Sequence, residues 1–504
     1  MAAIDSSAST APARLRANAV AGLIVLCFAL WLGFEIPKGI LTNTDELLTA
    51  ERSREMLLTT PWVVHFNFAK SFQKPPLQYW LTAFTLQRFE NRSLAVRIWP
   101  AIYGVLALIT TLGLAFVVDP SRPWLVPLTA AILVSCPLFS AEAGRGLLDV
   151  GLAFYTTSAI LCAQLARKHP AWWLGVATAC WLGSLQKIPL IFVIWALIVV
   201  IRLWPLPARS ERSGATRWLA VSLVLAAVAS AAWPLIQVLK YGMPVSSVFH
   251  EEVTVWLGPE YLGSRPYLEI PFRLCLTAWV AGGVFAFVAP FAVLVWKRQR
   301  FTAAAQEIAL LCIAVIALAV LFNFRLVRYI VPIVPCLALL LAIVLHSLLE
   351  RRSAVRVAAV CLLILILVAG QIQAQTQVYL RQKNATGQLV NGKIQIRADG
   401  RNVADEKRVA EALGALQQAG TSIVLIKAAR GGGDLLYEPF YMFYGNLRFP
   451  VQRLTIEQIR KAPPAPPVIG VCIRRDFPVV QEVYPGAQVE LALAQFVIWR
   501  AEAR

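Results

Sequence analysis

With 504 residues, 58% of them hydrophobic and only 15% charged, the chain is too apolar for an ordinary soluble protein, since soluble domains run at about 45–50% apolar and about 25% charged. The net charge of +19 is spread over short linkers between apolar stretches. That distribution excludes nucleic acid as a partner and favours anionic lipid head groups or a phosphorylated glycolipid.

The polar N-terminal segment carries Arg14 and Arg16 and leads into a first apolar span over 18–40. The span is long for a signal peptide and lacks a clear cleavage site, so it is expected to be a retained helix. Further spans are expected over 95–117, 124–140, 147–166, 171–187, 189–204, 218–239, 272–296, 305–322, 327–346 and 355–373, each near the roughly 20 residues that cross a bilayer. The fold class expected is therefore an α-helical polytopic membrane protein, with about 11–13 transmembrane helices, and a small C-terminal α/β soluble domain. With the N-terminus in the cytoplasm, the basic linkers at Arg122, Arg167-Lys168, Arg202–Arg217, Lys297–Arg300 and Arg351–Arg356 all fall on that side. The loops 41–94 and 240–271, the turn Asn323–Arg328 and the tail then face the periplasm of a bacterial inner membrane.

Two domains are expected, 1–373 in the membrane and 374–504 outside it. In the tail, Ala374–Gly400 reads as a linker, Asp405–Gln418 as an amphipathic helix, and Ser422–Ile426, Val468–Ile473 and Val489–Trp499 as strands, with Pro463–Pro467 as a connector. Gly431-Gly432-Gly433 lacks the Lys-Ser/Thr of a phosphate-binding loop and reads as a turn. Of nine cysteines, only Cys472 lies in the tail, which therefore has no disulfide of its own.

The first outer loop carries charge that bilayer rules do not explain. Asp45-Glu46 follows the first span directly, and Glu51, Arg54 and Glu55 continue a helix that Thr44 is placed to cap, either as a solvated amphipathic helix or as part of a site. Lys74-Pro75-Pro76 follows, its prolines restricting the backbone after the lysine, and then Tyr79-Trp80, typical membrane-interface anchors. A fixed ammonium near fixed carboxylates suits a phosphate group and a nucleophile.

Asp45-Glu46, Glu51, Arg54-Glu55-Met56, Lys74-Pro75-Pro76-Leu77 and Tyr79-Trp80 together resemble the signature of the bacterial lipid A 4-amino-4-deoxy-L-arabinose (aminoarabinose) transferase family, GT-C-fold enzymes related to protein O-mannosyltransferases. The resemblance implies an enzyme that takes a sugar from a polyprenyl phosphate on the outer face of the inner membrane and gives it to a lipid A phosphate. It implies catalytic roles for Asp45, Glu46 and Asp149, the last in Arg145-Gly146-Leu147-Leu148-Asp149. Donor contacts are implied for Lys74, Arg54, Tyr79, His250, and Arg325 with Arg328-Tyr329. The family usually reads Asp-Glu-x-Arg-Tyr, whereas Leu47, Leu48 and Thr49 follow Glu46 here, which leaves the sugar open. Gln73 stands where a Glu often precedes the lysine, so no cofactor is expected and a divalent metal at His250 is the weaker expectation.

Departure of the polyprenyl phosphate develops negative charge, which Lys74, Arg328 and Arg325 would stabilise. Attack from the opposite face inverts the anomeric centre, with Asp45 as general base for a hydroxyl acceptor. For an already ionised phosphate acceptor Asp45 orients the acceptor or stabilises positive charge on the sugar, while Asp149 and Glu46 bind sugar groups. A hexose, pentose or uronic acid donated to a glycan, protein or other lipid is the alternative within this class. A transporter or flippase for a lipid-linked sugar is the alternative outside it. Such proteins place ionisable groups near the midplane and carry repeats, whereas the charges here cluster at span ends. A noncatalytic scaffold fits less well with polar clusters in several separate loops.

Overall fold

The computed structural model describes residues 11–71, 74–188, 190–203, 212–243, 283–295, 301–321, 327–351, 353–385, 403–427, 436–493 and 496–502. In chain order these form α1 (Ala11–Glu35), α2 (Thr44–Leu58), a two-strand ribbon β1 (His65–Phe66) and β2 (Ala69–Lys70), α3 (Leu77–Leu86) and α4 (Arg92–Val118). Then come α5 (Leu125–Val134), α6 (Pro137–Ala143), α7 (Asp149–Leu165), α8 (Trp173–Gln186), α9 (Leu190–Leu203) and α10 (Arg212–Tyr241). After these lie α11 (Gly283–Val295), α12 (Ala303–Leu321), a 3-10 turn at Val327–Ile333, α13 (Val334–Leu349) and α14 (Ser353–Ala385). The remainder is α15 (Val403–Leu416), β3 (Ser422–Lys427), α16 (Glu438–Gly445), β4 (Val451–Thr455), α17 (Ile456–Lys461), β5 (Val468–Ile473), α18 (Phe477–Val483), β6 (Gln488–Leu493) and β7 (Phe496–Ala501).

The chain divides into two compact units. The first joins residues 1–36, 72–78 and 97–377; the second joins 37–71, 79–96 and 378–504. Within the first, five described helices are long and apolar enough to cross a membrane, or six if α5 and α6 form one broken span. The protein is a multi-pass membrane protein. One expectation is corrected: 124–140 is not one straight span but α5 and α6, bent by 71°. Cys136 precedes Pro137 and is extended (φ −73°, ψ 110°), as the proline ring requires of its predecessor, so the helix stops and restarts. The freed carbonyl of Val134 accepts from Ser140 Oγ at 2.7 Å and from Gln371 Nε2 at 3.4 Å.

In the second unit a five-stranded sheet has the order β4-β3-β5-β7-β6, with β3 parallel to both neighbours and the remaining pairs antiparallel. Alternation along β3 sends Ile423 and Leu425 to one face and Val424 and Ile426 to the other. The first face is covered by Val409, Leu413, Phe440 and Phe443 from α15 and α16, and its apolar core extends to Leu41, Leu47, Ala50 and Val96. The second face packs Ile459, Val480 and Tyr484 against Val468, Cys472 and Trp499. The expected helix and the strands at 422 and 468 are present, while 489–499 is divided between β6 and β7. The triglycine 431–433 lies outside the described residues.

Candidate active site

In the second unit α2 is a helix, but its cap is corrected. Asn43, not Thr44, stands extended before it, and its Oδ1 accepts from the N–H groups of Asp45 (3.0 Å) and Glu46 (3.2 Å). A planar amide one residue earlier reaches both free N–H groups, and Thr44 becomes the first helical residue. The acidic pair thus sits in the positive first turn, Asp45 half-buried and Glu46 buried.

The solvated-helix alternative fails, because Glu51, Arg52, Ser53, Arg54 and Glu55 are all buried. Arg54 forks onto Glu51 (2.6 and 2.8 Å) and reaches the Leu447 carbonyl (2.7 Å) and Asn446 Oδ1 (3.2 Å) at the end of α16. Arg52 donates to the hydroxyl of buried Tyr79 at 3.0 Å. Glu55 accepts the N–H groups of Asn67 (2.8 Å) and Phe68 (2.9 Å), two consecutive left-handed residues (φ 54° and 60°) whose N–H groups converge on the one carboxylate. Burial, then the neighbouring Glu51, push the Glu55 carboxyl up to about 8, against the Phe68 N–H and the Arg54 charge. Asn67 in turn pairs its side-chain amide with both backbone groups of Val451 (2.7 and 2.8 Å) on edge strand β4.

In the first unit Asp149 opens α7 and is buried. Lys187, the residue closing α8, places Nζ 2.6 Å from Asp149 Oδ1 and 4.7 Å from the centre of the Tyr329 ring. Arg328, from the 3-10 turn, brings Nε within 3.9 Å of Asp149 Oδ2. Glu142 pairs with Arg145 at 3.4 Å and lies in electrostatic range of Asp149, Lys187 and Arg328. Three cations thus meet two carboxylates beside a tyrosine ring, an excess of positive charge at the mouth of a helix. Such a group can hold an anion and orient it against a fixed carboxylate.

Asp149, Arg328 and Tyr329 are therefore brought together. Lys74 belongs to the same unit, half-buried in a bend before α3, whereas Asp45, Glu46, Arg54 and Tyr79 belong to the other. His250 and Arg325 lie outside the described residues. Among the described residues no three His, Cys, Asp or Glu side chains are grouped to hold a metal ion. Sequence reasoning missed Lys187 and Glu142. The signal for Lys187 was present: a lysine in a turn that the expected topology places outside, against the positive-inside rule.

A family model described as dolichyl-phosphate-mannose-protein mannosyltransferase matches residues 46–239. The undecaprenyl phosphate-alpha-4-amino-4-deoxy-L-arabinose arabinosyl transferase 2 of Sodalis glossinidius is 31% identical over 172 residues, 33% of this chain and 30% of that protein. The corresponding transferase of Pseudomonas aeruginosa is 25% identical over 344 residues, 65% of this chain and 59% of its own. The chain thus spans less than two thirds of either relative's length. Among solved structures, ArnT from Cupriavidus metallidurans bound to undecaprenyl phosphate has a TM-score of 0.67 at 18% identity, covering 95% of this chain and 97% of its own. The Archaeoglobus fulgidus oligosaccharyltransferase with Zn and sulfate follows the fold at a TM-score of 0.52 and 13% identity, covering 86% and 62%. The GT-C fold and the resemblance to the aminoarabinose transferases are borne out.

Proposed function

We propose that this GT-C chain, related to the aminoarabinose transferases, is a membrane glycosyltransferase that moves a sugar from a polyprenyl-phosphate donor to a lipid A-type acceptor on the periplasmic face of the inner membrane. The observation that carries the reading is Asp149 at the start of α7, held by Lys187 and flanked by Arg328 and Tyr329. The donor's phosphate develops charge as the glycosidic bond breaks, and Lys187, Arg328 and Lys74 offset it. Asp149, already oriented by Lys187, binds a hydroxyl or amino group of the sugar. Asp45 acts on the acceptor, as general base for a hydroxyl or as an orienting group for a phosphate, and Glu46 supports the sugar. In-line attack inverts the anomeric centre.

Leu47-Leu48-Thr49, in place of the family's Arg-Tyr, favours a second reading with the same donor lipid and a different sugar or acceptor. Mass spectrometry of lipid A and the other envelope glycolipids, from cells with and without the protein, decides between them. Loss of aminoarabinose from lipid A supports the first reading. Loss of another sugar from another glycan supports the second, and an unchanged profile with movement of the lipid-linked sugar overturns both.

A further inference from the structure

Gln186 ends α8, directly before Lys187, and is fully buried. Its Nε2 donates to Gln78 Oε1 at 3.1 Å and to the Leu148 carbonyl at 3.2 Å. Leu148 immediately precedes Asp149, and Gln78 follows Lys74 by four residues. A carbonyl only accepts, so Leu148 fixes which end of the Gln186 amide faces it, and Gln78 must present its oxygen to the same nitrogen. The bridge has a direction.

The fold leaves room for this amide. A Cβ on Gly151 of α7 would stand 2.5 Å from Gln186 Nε2 and 2.8 Å from its Cδ, so the glycine is where the amide passes. The remaining oxygen, Gln186 Oε1, accepts no hydrogen bond among the described residues. A buried amide with an unused acceptor is costlier than an apolar side chain of the same shape. Packing alone gives no reason for it.

We infer that Gln186 is a positioning residue for the transfer proposed above, on which this inference rests. One amide ties the segment that follows Lys74 to the backbone that starts at Asp149, and the chain carries it straight on into Lys187. The phosphate-binding ammonium groups and the carboxylate are thereby kept at fixed separations. Gln186 touches no substrate; it acts through Gln78, Leu148 and Lys187.

The test measures binding of undecaprenyl phosphate to the full-length protein in lipid nanodiscs, alongside thermal unfolding. Gln186→Leu and Gly151→Ala are expected to weaken binding by about tenfold, the scale of one lost hydrogen bond to a charged group, on top of the lower unfolding temperature that unpaired acceptors and the added Cβ bring. Gln186→Glu sets a carboxylate against two acceptors. Relative to wild type at each pH, its binding should recover as the pH falls and the side chain gains a proton to donate, at a pH that burial beside two acceptors raises above the usual carboxylate range. A role in packing alone gives no such recovery, and this variant with Gly151→Ala carries the test if Gln186→Leu does not fold.

Lys74→Ala and Lys187→Ala are the reference variants. If they lose binding while Gln186→Leu, Gly151→Ala and Gln186→Glu bind as wild type at every pH, the inference is overturned and the proposed function stands. If the two lysine variants also bind normally, both fall.

Discussion

Raising the pH should loosen the second unit through one carboxyl group, Glu55. It is fully buried, with its carboxyl pushed up from 4.5 to about 8. An acid with a higher pKa in the folded state holds a proton that the unfolded chain has released. Its contribution is therefore fully present below 4.5 and lost as pH rises toward 8. The displacement corresponds to a loss of up to about 5 kcal/mol across that window. Glu55→Gln cannot titrate there, and it gives up one of the two acceptors that receive the Asn67 and Phe68 N–H groups, a constant cost of about 1–3 kcal/mol. Wild type should be the more stable at low pH, with the gap closing or reversing by about pH 8. Thermal unfolding of the full chain in nanodiscs, read by hydrogen exchange across α2 and the β1–β2 ribbon, follows both proteins over this range. A wild type whose stability falls with pH no faster than that of Glu55→Gln would refute the reasoning.

Lys187→Ala removes the 2.6 Å partner of a buried carboxylate, a break worth roughly 3–5 kcal/mol; sugar transfer by the purified protein should fall at least tenfold, by about the scale such electrostatic groups contribute. Asn67→Ala deletes both bonds to Val451 and should cost about 1–3 kcal/mol, seen as faster protease cleavage between Val63 and Ser71. Gly414→Ala drives a Cβ into the Gly445 carbonyl oxygen, where α15 crosses α16. Overpacking there should cost about 1–3 kcal/mol or more, read as a lower midpoint in denaturant.

The membrane class, the helical loop and the strands at 422 and 468 were legible because each rests on a local pattern: long apolar runs, a capped acidic turn, short β-branched runs. Asp149 and Arg328-Tyr329 were legible through their motifs. Lys187 was missed although its charge in a turn between two expected spans was a signal, because nothing local sets it against Asp149, 38 positions away. The burial of Glu51, Arg54 and Glu55 was hidden for a related reason. Their periodicity is that of a surface helix, and what covers them is α16, nearly four hundred residues away. The 71° break at Cys136-Pro137 was written in the proline, but the apolar run on either side concealed it.

The same separation has a consequence for how the chain is made. Arg54 Nη2 reaches a carbonyl 393 positions downstream, and at typical synthesis rates that acceptor emerges roughly 20 to 80 s after the arginine. Until then Glu51, Arg54 and Glu55 lack their cover, and the loop bearing Asp45 and Glu46 remains unfinished. Completion of the second unit is therefore timed by the arrival of α16, and a ribosome stalled before residue 438 would leave Glu51, Arg54 and Glu55 without the helix that buries them.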